Sequence, residues 1–202
     1  AILLASVYSL GVQLFNRQVG LWAAAICVVL PGLYRFRLQF LLDYPLTAAI
    51  TLTFFCLTMW NQESGIRNKE EGRGEREEGE RKIISASSYF WAIAFGISLG
   101  LSILVKHTTV LFLFTPIVWL AVGTVRQKAW GRLAQLAGAL LLSVAVFGPW
   151  AKTNWLLILT GGKRATFDSA IAEGDPALNT INAWIYYGQH LPEQVSWPLL
   201  LI

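Results

Sequence analysis

The apolar run from Ser85 to Val105 constrains this chain more than any other feature. It approaches the roughly 20 residues that a helix needs to cross a bilayer. In lipid every backbone N–H and C=O must find a partner within the protein, and a continuous apolar run of this length does so as a helix. Further apolar runs cover 1–14, 20–33, 45–60, 110–125 and 133–148. With 55% hydrophobic residues and nine tryptophans among 202 residues, the chain reads as an all-α, polytopic transmembrane helix bundle. The first residues lie inside one apolar run, the last inside another, and no Met opens the chain, so a fragment of a longer protein is the expectation.

Several function classes fall away. The net charge of +4 is scattered along the chain and forms no clustered basic stripe, so no nucleic-acid partner is expected. Cys27 and Cys56 both lie inside predicted spans and suggest no disulfide framework. His107 and His190 are far apart and lack metal-ligand spacing. Gly161-Gly162-Lys163-Arg164 has neither the spacing nor the flanking strand of a phosphate-binding P-loop.

Between the spans, 61–82 is a mixed-charge, low-complexity stretch with seven glutamates from Glu63 to Glu80. It lacks the apolar area that offsets ordering, so a disordered, charged cytoplasmic loop is expected there. Within 85–105, Gly96 and Gly100 form a small-xxx-small pair, which lets a neighbouring helix approach closely. Pro149-Trp150 is expected to end the span that precedes it. The stretch 151–196 reads as an extracytoplasmic loop. In it, Asp175-Pro176 would open a helix through Gln189, lying at the bilayer surface with Tyr186, Tyr187 and His190.

The chemistry gathers in the run Tyr34 to Thr47. Pro45 suits the first position of a helix, which places Asp43 just outside it at the positive end of the dipole. Alternation of spans puts Arg17, the 61–82 stretch and the Arg126–Arg132 turn on one side of the membrane. Arg35, Arg37, Asp43, Lys106 and His107 fall on the other. Ten of the sixteen Lys and Arg lie on the first side, which the positive-inside rule makes cytoplasmic. Charged groups at the mouths of apolar helices are read first as a functional site. Arg35, Arg37, Lys106 and His107 would suit an anion such as a lipid phosphate. The plainer alternatives are that Asp43 caps its helix or pairs with Arg37, and that the cations snorkel to headgroups.

Three stretches carry a family resemblance. Arg37-Leu-Gln-Phe-Leu-Leu-Asp43-Tyr-Pro-Leu-Thr47 is similar to an "R-x-x-L-L-D-x-x-L" start of a span. Gly96-Ile-Ser-Leu-Gly-Leu-Ser-Ile-Leu-Val-Lys106 is similar to a "G-x-x-x-G-L-x-x-L-T-K" helix end. Pro149-Trp150 follows the next hairpin, with Asn154 just beyond. In this order they resemble the GT-C superfamily of polytopic glycosyltransferases. Within it they resemble glycosyltransferase family 39, which includes protein O-mannosyltransferases and the lipid A aminoarabinose transferase.

The resemblance implies that 1–202 is part of one GT-C-like transmembrane domain. It further implies transfer of a sugar from a dolichyl- or undecaprenyl-phosphate donor. It places Asp43, as a catalytic residue, and Lys106 at an extracytoplasmic cavity, in a bacterial plasma membrane, with the principal catalytic carboxylate upstream of these residues. The acceptor (protein, lipid or glycan) stays open. No cofactor is certain, and a divalent metal is not ruled in or out. A transporter or flippase of lipid-linked anions, or a non-catalytic membrane subunit, are the competing readings.

Overall fold

The computed structural model describes residues 1–38, 42–71, 78–163 and 180–195, together with Ala172, Gly174 and Pro176. All the regular structure among these residues is helical. Helices α1 (Ile2–Leu14) and α2 (Arg17–Val29) form a hairpin, which Asn16 opens by accepting from the Val19 N–H at 2.9 Å. The two backbones touch: a Cβ placed on Gly11 would lie 2.5 Å from the Gly20 Cα. Leu30 is extended, as a residue before proline must be, and Pro31 starts the short helix α3 (Pro31–Leu38).

Helix α4 (Asp43–Glu71) begins two residues earlier than Pro45 alone would suggest, so Asp43 belongs to its first turn. Proline is tolerated there because the first N–H groups have no helical acceptor in any case. Along α4, the hydroxyls of Thr47, Thr51 and Thr53 donate back to the carbonyls of Asp43, Thr47 and Ala49. Helix α5 (Glu78–Val105) returns antiparallel to α4. Within 61–82, where a loop was expected, the described residues are therefore helical. Their Glu, Lys and Arg are good helix formers, and extending an existing helix avoids the cost of a new nucleus. Residues 72–77 lie outside the described residues.

Helix α6 (Thr109–Arg126) leads away from the α5 end, and α7 (Trp130–Lys163) comes back. Pro149 does not stop α7. The hydroxyl of Thr153 donates to the Pro149 carbonyl and the Asn154 amide to that of Trp150, so side chains serve carbonyls near the break. The departure from helical geometry falls at Asn154, with φ −113° and ψ 19°. The last helix, α8 (Ile181–Val195), packs on α3, and its Ala183 is buried. It starts later than the Asp175-Pro176 signal implies, and Asp175 lies outside the described residues. Three helical stretches, Ala86–Val105, Thr109–Arg126 and Trp130–Gly161, are long and apolar enough to cross a membrane.

The core lies among α4, α5, α6 and α7, around Trp60, Phe95, Leu113 and Leu136. Outward-facing Leu111, Trp119 and Leu141 are largely exposed, the inside-out pattern of a bundle surrounded by lipid. Gly96 and Gly100 have the packing role expected of them. A Cβ on Gly96 would sit 2.5 Å from the Ala139 carbonyl oxygen, and one on Gly100 would sit 2.7 Å from the Val146 Cβ. At the end of α4 distant from Asp43, Gln135 Oε1 accepts from Trp60 Nε1 (3.1 Å) and Ser88 Oγ (3.0 Å). Arg132 donates to Asn61 Oδ1 at 2.8 Å and lies over the Trp60 ring. These bonds fix α4, α5 and α7 in one register.

This packing predicts that Gly96→Val destabilises the folded protein by about 2 kcal/mol or more, since the Ala139 backbone cannot yield as a side chain can. Gly123→Ala, where a Cβ meets open space, should be neutral or stabilising by up to ~1 kcal/mol. Melting of the two variants in detergent checks both signs.

Candidate functional site

The fold brings together the ends of two helices that are distant in sequence. Lys106 Nζ lies 2.8 Å from Asp43 Oδ1 across a separation of 63 residues. Each charge suits its position. Asp43 occupies the first turn of α4, where the dipole favours an anion, and Lys106 follows the last residue of α5, where it favours a cation. The side chains are 44% and 38% exposed respectively, so the pair is at the surface of the bundle and open to a ligand.

The local sequence explains the turn that carries Lys106. After Val105 the backbone leaves the helix for 106–108 and re-enters at Thr109. The Lys106 N–H donates to the Ser102 carbonyl (3.1 Å), and Thr109 N–H donates to the Lys106 carbonyl (3.0 Å). His107, in the same turn, is exposed. Arg35 is exposed on α3, which packs against α4 and α8; the side chain of Arg37 lies outside the described residues. Of the sequence-derived set, Asp43 and Lys106 meet, and His107 adjoins Lys106 in the chain. Arg35 and Arg37 sit on a helix next to the start of α4.

The pairing of Asp43 with Lys106 was not legible locally, because no periodicity links residues so far apart. The hydroxyls of Thr53, Ser102 and Thr109 were missed for the same reason. They join α4, α5 and α6 beneath the charged pair. Among the described residues no three His, Cys, Asp or Glu cluster in a way that could hold a metal ion.

Three membrane-length apolar helices and a charged pair at one end of the bundle define an integral membrane protein. Residues 1–160 match the family model described as dolichyl-phosphate-mannose-protein mannosyltransferase. The chain belongs to that family, which is a GT-C family of membrane glycosyltransferases. No curated protein and no solved structure matches it.

Because both charges are partly exposed, their mutual attraction should contribute little to folding. A double-mutant cycle with Asp43→Asn and Lys106→Met is expected to give a coupling of at most about 1 kcal/mol in thermal or denaturant unfolding.

Proposed function

We propose that this protein transfers a sugar from a polyprenyl-phosphate donor to an acceptor hydroxyl at the extracytoplasmic membrane face. The observation that carries the reading is the convergence of Asp43 and Lys106 at one mouth of the bundle, from helix ends far apart in the chain. Family membership supplies the reaction class. Sidedness rests on the excess of Lys and Arg expected on the other face. In the fold Arg132 meets Asn61, about 25 Å along α4 from Asp43.

In this reading the acceptor hydroxyl attacks the anomeric carbon from the side opposite the lipid phosphate, which leaves with the electrons of the glycosidic bond. Configuration inverts. Negative charge builds on the departing phosphate, and Lys106 is the point charge placed to take it. Arg35 and Arg37 on α3 would complete the phosphate grip with planar forks, and His107 would add a donor from the Lys106 turn. Asp43 holds Lys106 extended while the donor is absent and orders the acceptor once the ammonium group turns to phosphate. The acceptor proton passes to a carboxylate base, expected in a first outer loop upstream of these residues.

Lys106→Ala should lower transfer from dolichyl-phosphate-mannose by roughly a hundredfold or more, a scale typical of removing one stabiliser of developing charge. Membrane insertion should be unaffected. A radiolabelled transfer assay of the full chain in proteoliposomes measures the first, and alkali extraction of membranes the second. Wild-type turnover in Lys106→Ala would refute the assignment.

A further inference from the structure

Directly below the charged pair lies a set of buried hydroxyls that the proposed chemistry does not touch. The side chains of Thr53, Ser102 and Thr109 are all fully buried. Thr53 Oγ1 and Ser102 Oγ are 2.8 Å apart, joining α4 to α5. Ser102 Oγ also lies 2.7 Å from the Ser98 carbonyl, and Thr53 Oγ1 2.8 Å from that of Ala49. Two hydroxyl protons face three contacts, so the hydroxyl that donates in the central bond gives up its own bond to a helix carbonyl while the other keeps its bond.

The Ser102 carbonyl is the junction of the network. It accepts from the Lys106 N–H at 3.1 Å and from Thr109 Oγ1 at 2.9 Å. The first bond closes the last turn of α5 at the residue that bears the ammonium group. The second ties the start of α6 to that same carbonyl, across the non-helical 106–108 turn. Through Thr53, the junction is also tied to α4, the helix that starts with Asp43.

We infer that Thr53, Ser102 and Thr109 are positioning residues: they hold the Lys106 turn in register with the start of α4, so that the ammonium group meets the donor phosphate. This rests on the phosphate role proposed for Lys106. The chemistry suits the task. Lys has a long, flexible stem, and its head is placed only as well as its backbone is. In a buried site a hydroxyl-to-carbonyl bond has no water to exchange with, so it keeps a turn fixed where apolar contact alone would let it slide.

The test compares wild type, Thr109→Val, Thr109→Ser, Thr53→Val and Lys106→Ala, each as the full chain in proteoliposomes. The probe is dolichyl-phosphate-mannose with a Ser/Thr-rich peptide acceptor. Thr109→Val keeps the shape of the side chain and removes its bond. It should cut kcat/KM for the donor by roughly tenfold to a hundredfold, the scale of a 1 Å misplacement. Part of this should appear as a raised donor KM, with the acceptor KM unchanged. Thr109→Ser should restore the wild-type values, and Thr53→Val should shift the donor KM in the same direction. A merely structural role would instead lower the melting temperature and the amount of active enzyme while leaving the donor KM alone, and that result overturns the inference. Inactive Lys106→Ala beside a kinetically normal Thr109→Val overturns the positioning role only. Full activity in Lys106→Ala overturns the phosphate role and the positioning role together.

Discussion

Lipid offers a backbone no hydrogen bonds and offers helices little hydrophobic reason to associate, so fit and internal polar contacts decide how this bundle holds together. Close fits occur between α1 and α2, at Gly11 and Gly20, and between α5 and α7, where Gly96 and Gly100 leave no room for a side chain. Hydrogen bonds then lock the register at two levels: Trp60, Ser88 and Gln135 at one, Thr53 and Ser102 at the other. A unit of α4, α5 and α7 tied in this way can carry charges at its ends in a fixed relation. The geometry of the site depends on that rigidity.

The charges themselves are placed where the helices favour them. A carboxylate at the start of α4 and an ammonium group at the end of α5 each gain from the helix dipole, and each also reaches water. Burial would have made the pair costly and fixed. Partial exposure leaves Lys106 able to change partner, as the proposed phosphate role requires. Helix α8 packs on α3 and leaves Ile181 and Trp184 largely exposed. It suits the boundary between headgroups and acyl chains, where a lipid-linked donor is met.

Much of this was legible in the chain because it depends on neighbours. The apolar spans around α5 and α6 and the Gly96/Gly100 contact follow from local pattern. Local rules also misled. Pro149 does not end α7: the helix runs through it, and the departure from helical geometry falls at Asn154. Residues 61–71 and 78–82 continue helices rather than forming a loop, since charge density alone does not outweigh helix propensity in segments joined to long helices. The contacts that make the site were beyond local reading: Asp43 with Lys106, Thr53 with Ser102 and Asn61 with Arg132 are each joined across dozens of residues.

The central claim is that a lipid-linked phosphate docks where Asp43 and Lys106 meet. Photo-crosslinking measures this most directly, using a polyprenyl-phosphate analogue with the reactive group at its headgroup and mass spectrometry to map the labelled peptides in the full chain. The account predicts label on the peptides that contain Asp43 and Lys106, competed away by unlabelled donor. Label confined to the Arg126–Arg132 turn at the opposite end of the bundle, or spread evenly over the lipid-facing surfaces, would contradict it.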